Sequence, residues 1–218
     1  MRRQRFLLTV LLLSLGLTCG MLGYAFTNAT GARPSSPLPS YGRLPDFSLM
    51  DHHDQPLSRA TLAGSVWIAD FIFTRCAGQC PLMSAQMARL SEALQDVPEV
   101  RFISFSVDPA HDTPERLADY ASSYGAGGDR WRFVTEAPRA GEAGAMAGGG
   151  GSTSIARLAR QGFRLGVSAD GTEEEPITHS VRLVLIDQHG SIRGYYDATE
   201  AQAVAQLQAD ARRLARER

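Results

Sequence analysis

One run constrains the fold more than any other: "SVWIADFIF", residues 65–73. It is almost continuously apolar and rich in β-branched and aromatic residues, which marks a strand buried on both faces. Directly after it comes "TRCAGQCPLMS", residues 74–84. Leu82, Met83, Met87, Leu90 and Leu94 then recur at helical spacing through residue 96. A buried strand that feeds a helix needs a covering layer on each side, so the chain belongs to the α/β class.

The rest of the chain continues the alternation. "DFSLMD" (46–51) and "LSRATLAG" (57–64) flank the turn-like "HHDQP". "VRFISFSVD" (100–108) reads as a second buried strand and "RWRFVT" (130–135) as a short third. "DTPERLADYASSYG" (112–125) opens with Asp, Thr and Pro followed by Glu, the signals of a helix start. A helix is expected over 154–167. "SVRLVLID" (180–187) and "SIRGYYD" (191–197) read as a hairpin turning at "QHG", and residues 200–218 as a last amphipathic helix. The terminal hairpin makes the expected sheet mixed rather than purely parallel.

Three segments lie outside that pattern. Phe6 to Phe26 is a run of 21 uncharged residues behind Arg2, Arg3 and Arg5. About 20 apolar residues span a bilayer, and basic residues on the short leading side keep that end in the cytoplasm. Residues 1–26 are therefore expected to be a single-pass anchor in the cytoplasmic (inner) membrane, with the remainder on the periplasmic, extracytoplasmic side. A cleaved signal peptide is the alternative, though its apolar core is usually about 7–15 residues; lipid modification at Cys19 is a third. Residues 27–43, rich in Pro, Ser, Gly and Ala, read as a linker. The domain proper is expected over 44–218, carrying a Gly/Ala-rich insertion at about 136–153. That insertion lacks the G-x-x-x-x-G-K-[ST] pattern of a phosphate loop. Net charge is −1 and all 22 basic residues are Arg, with no basic stripe of the sort nucleic acid requires.

Of the three cysteines, Cys19 falls in the apolar segment, leaving Cys76 and Cys80 for the exported domain. Export favours disulfides, but a bridge closing so short a loop is a weak staple. Placed at a helix start, both thiols gain from its partial positive charge, and Arg75 pushes the same way. Residues four apart share a helix face at about 5–6 Å. Such a pair can close to a reversible disulfide or hold a soft metal. A structural zinc site takes four ligands; two thiolates with one histidine suit Cu(I). The histidines are His52, His53, His111, His179 and His189. His52 and His53 read as solvated turn residues, His111 and His189 as loop residues, and His179 as a residue at the mouth of a strand.

Taken together, four blocks resemble the Sco/SenC family of copper-binding assembly proteins. They are "PDFSLMDHHDQPLSRATLAGSVWIADFIFTRCAGQCPLMS", "VRFISFSVDPAHDTPERLADYASSYG", "WRFVT" and "THSVRLVLIDQHGSIRGYYD". The resemblance implies a thioredoxin-like mixed sheet flanked by helices, behind one membrane helix. It implies copper, Cu(I) with Cu(II) as a second state, held by Cys76, Cys80 and His179. It implies delivery to the copper-receiving subunit of a haem-copper (cytochrome c) oxidase. Two departures stand out: Thr178 precedes the histidine where an acidic residue is common, and the Gly/Ala-rich insertion lengthens the chain before the third helix.

Other assignments compete for the same pair. A thiol–disulfide reductase would keep oxidase cysteines reduced for metallation and would itself depend on a thiol–disulfide reductant. Thioredoxin-type enzymes use C-x-x-C, one residue shorter. Peroxide chemistry would need one activated cysteine, and nothing else supports it. The acidic "DGTEEEP" (170–176) reads as a solvated loop, or as a dock for a basic partner.

Overall fold

The structure is a computed structural model that describes residues 37–136, 154–168 and 178–217, with the side chains of 167–168 and 178–179 left out. The expected membrane segment, Cys19, residues 27–36 of the linker, almost all of the insertion and the acidic 170–176 loop lie outside the described residues. No helix among the described residues is long and apolar enough to cross a membrane. The chain divides into two units, Met1–Pro37 and Leu38–Arg218; the fold is that of the second.

Among the described residues, nine strands and four α-helices run in the order β1 (Ser48–Asp51), β2 (Pro56–Ser58), β3 (Val66–Ile72), α1 (Gln79–Ala93), β4 (Val100–Ser106), α2 (Pro114–Ser123) and β5 (Trp131–Thr135). Then follow α3 (Ser154–Arg157), β6 (Val167–Ser168), β7 (Thr178–His179), β8 (Arg182–Ile186), β9 (Ile192–Asp197) and α4 (Ala201–Arg216). Seven strands form one sheet, ordered β2-β1-β5-β4-β3-β8-β9. β3, β4 and β5 are parallel, while β8 and β9 return antiparallel, so the sheet is mixed as expected. All seven residues of β3 are buried, because β4 and β8 hold both its edges and helices cover its faces.

Local chemistry sets the element ends. Thr113 caps α2 by accepting from the Arg116 N–H, with Pro114 in the first turn and Glu115 beside the positive end. The C-terminal carbonyls of α1 meet Arg130, whose guanidinium donates to Ser91 at 2.9 Å and Leu94 at 2.6 Å. At the 188–190 turn, Gly190 takes a φ of 77°, a conformation that costs little only without a Cβ.

Two regions differ from expectation. The helix expected over 154–167 is one α-turn followed by a π-turn, Leu158–Gly162, and stops there. The Phe163 N–H bonds to Leu158 O at 2.9 Å. Gly162 sits so tightly that an added Cβ would meet Leu158 at 2.9 Å and Pro45 at 3.0 Å. The extra residue in the π-turn swings Phe163 into the core, where its ring lies 5.0 Å from Phe71 and 5.4 Å from Phe105. The other region is Leu38–Arg43, expected as linker. It lies along β9, with Tyr41 N bonded to Ile192 O and Ile192 N to Gly42 O, each at 2.9 Å.

Candidate metal centre

β3 delivers the chain into a turn at Phe73–Gly78, and α1 departs from it. The Cys76 N–H closes the turn on Phe73 O at 3.2 Å. Gly78, the residue before α1, has no side chain with which to cap the helix. The Cys76 sulfur does this instead, accepting from the Cys80 N–H at 3.5 Å. One of the otherwise unpaired amides of the helix start thus points at a sulfur. Cys76 is 8% exposed and Cys80 fully buried, and both are unbridged. The sequence expectation that these thiols meet on one turn holds.

The expectation that both are activated does not. Burial pushes the Cys80 thiol well up, and its contact with Cys76 and the nearby Asp70 push it further. The helix end is outweighed at Cys80 because the thiol has no solvent to stabilise its charge. Nor is Arg75 a free charge beside the pair: its Nε bonds to Asp108 at 2.7 Å.

The cysteine turn is held from below by the loop after β4. Asp112, fully buried, accepts from the Thr74 N–H at 3.1 Å and the Thr74 hydroxyl at 2.6 Å. It also accepts from the Ser106 hydroxyl at 2.6 Å, and Ser106 in turn accepts from the Asp108 N–H at 3.1 Å. These bonds fix the backbone two residues before Cys76. Behind Cys80, one turn along α1, buried Ser84 meets the Tyr120 hydroxyl at 3.0 Å.

His179 lies in β7, where its backbone registers opposite Val167 in the two-stranded ribbon β6–β7. Its side chain is outside the described part of the structure. Among the described residues, no three His, Cys, Asp or Glu side chains are grouped to hold a metal. His52 is not the solvated residue expected: it is 6% exposed, and its Nδ1 accepts from the Phe133 N–H at 3.2 Å. The turn brings it over β5, and burial lowers its basicity, helped by His53 beside it. His111 precedes the α2 cap and His189 sits in the 188–190 turn, both as expected.

A strand, a cysteine turn and a helix, with two soft donors on one turn and a mixed sheet behind, can now be set against known proteins. A family model described as SCO1/SenC matches residues 40–216. The chain belongs to the SCO1/SenC family. It is 32% identical over 186 residues to the SCO1 protein homolog of Bacillus subtilis, covering 85% of this chain and 88% of that one. It is also 32% identical, over 74% of this chain and 72% of the other, to a Stutzerimonas stutzeri protein provisionally named as copper-binding. Among solved structures it is similar to BsSco, a member of the Sco family of cytochrome c oxidase assembly proteins, in work that identified a disulfide switch. That likeness has a TM-score of 0.69 at 26% identity, over 84% of this chain and 100% of BsSco. The thioredoxin-like Sco fold is thereby shown.

Two features of the site escaped the sequence reading. The Asp112 clamp lies in a block whose likeness to the family was visible but whose bonds were not. Asp70, the single charge inside the apolar run 65–73, carries its own signal: an acid in a strand buried on both faces.

Proposed function

We propose that this SCO1/SenC chain binds copper through Cys76, Cys80 and His179 and delivers it to the copper centre of a haem-copper cytochrome c oxidase during assembly. The observation that carries the proposal is the Cys80 N–H to Cys76 sulfur contact at 3.5 Å, which sets two soft donors on one turn. Paired thiolates select Cu(I), and a nitrogen from His179 would complete a three-donor site. Membership of a family of oxidase assembly proteins and the copper-binding name of the S. stutzeri relative support the same assignment. Cu(II) is the second state, and the anchor in residues 1–26 would hold the domain on the periplasmic side of the inner membrane.

Metal uptake must displace the protons of both thiols, so affinity rises with pH. The test is anaerobic Cu(I) titration of the chain with X-ray absorption. About one copper bound by two sulfurs and one nitrogen is expected, lost on Cys76→Ser or Cys80→Ser and weakened on His179→Ala. Undiminished binding by the double cysteine variant would sink the proposal.

A second activity follows from the same pair, because the disulfide switch of BsSco is a specific precedent in a relative of this fold. Closing Cys76 and Cys80 to a disulfide would release the metal, and a thiol–disulfide reductant would restore the site. Turnover on a disulfide-bonded oxidase subunit would separate a reductase from a copper carrier.

A further inference from the structure

The root of the ribbon that carries His179 holds a basic cleft that copper binding does not use. Gly166 leads into β6 and Ser180 leaves β7, and both line it, together with Tyr41, Arg164, Arg182 and Tyr195. Its volume is about 360 Å³, and it is shallow and open to solvent. No Asp or Glu lines it. Neither guanidinium has a hydrogen bond or ion pair among the described residues. A second basic cleft, beside the 188–190 turn, is different. There Arg43 donates to His189 O at 2.9 Å, and Arg59 is paired with Asp46.

The two unpaired arginines reach the cleft from separate elements. Arg182 opens β8, exposed, and stands diagonal to Tyr195 on the same face of the β8–β9 pair. Asp197, the acid opposite Arg182, accepts instead from the Thr199 N–H at 2.8 Å and the Thr199 hydroxyl at 2.5 Å. Arg164 takes a φ of 55°, in the left-handed region that only Asp54 shares among the described non-glycine residues. Its guanidinium lies over Gly42, 3.5 Å from where a Cβ would stand. Tyr195 is fixed by its hydroxyl, which donates to Phe163 O at 3.1 Å, and Tyr41 meets its ring edge-on at 5.3 Å. Burial raises the pKa of the Tyr195 phenol and both guanidiniums oppose that rise, so the two charges bear on one spot. Tyr41 is 44% exposed, one of two large hydrophobic residues so open among the described residues.

Two unpaired guanidinium forks beside two tyrosines define what fits. Arginine matches a carboxylate through two parallel bonds. Arginine and tyrosine are also enriched among the residues that carry binding energy at protein interfaces. A small free anion calls for a pocket that closes round it. This cleft is open, and suits a side chain presented by a larger surface.

We propose that the cleft docks an acidic segment of the protein that receives the copper, with a carboxylate held by Arg164 and Arg182. Docked there, the recipient stands at the root of the His179 arm. The inference rests on the copper-delivery proposal for the partner's role, while the binding itself does not need copper.

The test is fluorescence anisotropy with the full-length chain in non-ionic detergent and a labelled hexaglutamate peptide. The wild-type chain should bind it, less tightly as salt is raised, and should ignore hexaglutamine. Arg164→Gln with Arg182→Gln should weaken binding about tenfold, the sum expected of two exposed charge pairs. Arg43→Gln with Arg59→Gln removes the same charge elsewhere and should leave binding unchanged. Equal weakening by both double variants would mean that the peptide reads net charge alone, and overturns the proposal. Citrate bound as tightly as the peptide would make this a small-anion site and overturns the protein assignment. No binding by wild type overturns it as well, and binding gained only in Glu173→Gln/Glu174→Gln/Glu175→Gln would give the two arginines to the chain's own acidic segment. Copper keeps the two proposals apart. Arg164→Gln with Arg182→Gln should still take up about one Cu(I), which also shows that it folds. A chain that binds no copper yet holds the peptide through these arginines loses the copper assignment, and with it the partner's role, and keeps the acidic docking site.

Discussion

Asp112 and Asp70 are the same residue type, each fully buried, and they serve the same end of the sheet. Asp112 accepts three hydrogen bonds from Thr74 and Ser106. Asp70 accepts none among the described residues. Burial therefore does not by itself settle what a buried acid does; its hydrogen-bond partners matter as well. A carboxyl with both oxygens occupied is a clamp, and here it holds the Cys76 turn. At Asp70 burial outweighs what the Ser104 hydroxyl opposite it on β4 returns, and its pKa rises to about 7.

The sharpest way to break this contrast is to remove the clamp. Asp112→Ala leaves the buried Ser106 hydroxyl and the half-buried Thr74 N–H and hydroxyl without their acceptor. Each such loss costs about 1–3 kcal/mol, so a combined loss on the order of 5 kcal/mol is expected from urea unfolding. Copper should bind more weakly as the cysteine turn loosens. A cost under about 1 kcal/mol would show that the turn is held by something other than Asp112.

The next effect is smaller and has the opposite character. Because the folded pKa of Asp70 lies above its unfolded value, the folded chain keeps this proton at pH values where the unfolded chain has released it. Stability relating to Asp70 is thus fully present below about pH 4, is lost as pH rises to about 7, and stays level above that. A rise from 3.8 to about 7 corresponds to at most about 4 kcal/mol. Unfolding free energies of wild type and Asp70→Asn, measured across this window, should converge in acid and diverge at neutral pH in favour of the variant. Parallel curves would mean that burial does not shift Asp70.

Much of this arrangement was legible before any coordinates. The run 65–73 announced its strand because apolar residues without alternation need cover on both faces, and the spacing of Met83, Met87 and Leu90 announced α1. Cys76 and Cys80 could be paired because both lie on one short turn. What escaped depended on contacts between distant parts of the chain. Thr74 and Asp112 are separated by 38 positions, and nothing local to either shows the bond. His52 beside His53 in a polar turn reads as solvated, yet the register of the turn against β5 buries it. The π-turn at Leu158–Gly162 inserts one residue per turn without disturbing the apolar character of the segment, so period alone predicted an ordinary helix. The activation of both thiols was expected from the helix end, a local feature; the burial that overrides it at Cys80 belongs to the packed core.

The histidine arm offers a third and milder test, since among the described residues β6 and β7 share two register pairs, far fewer than hold the cysteine arm. Its path from the core is set by Phe163 and the π-turn. Gly162→Ala would press a methyl group against Leu158 and the Pro45 ring. Overpacking of this kind costs about 1–3 kcal/mol. The loss should appear as lower thermal stability and as weaker copper binding, with the disulfide closure rate of Cys76 and Cys80 unchanged. Equal damage to closure would mean that the two arms are a single cooperative unit.

The smallest effect is expected next to the site itself. Arg75 bonds to Asp108 at 2.7 Å, but its side chain is 48% exposed, so water and salt screen the pair. Arg75→Ala should lower stability by less than about 1 kcal/mol, the usual range for such pairs. The difference should fade further at high salt. Asp108 keeps its place without the arginine, because its own N–H bonds to Ser106, which Asp112 holds. Copper stoichiometry should therefore survive in Arg75→Ala and fail in a chain whose Asp112 clamp is gone. If Arg75→Ala proved as damaging as Asp112→Ala, the half-exposed ion pair and not the buried carboxyl would be what positions the cysteine turn, and counting the partners of buried acids would no longer identify the clamp.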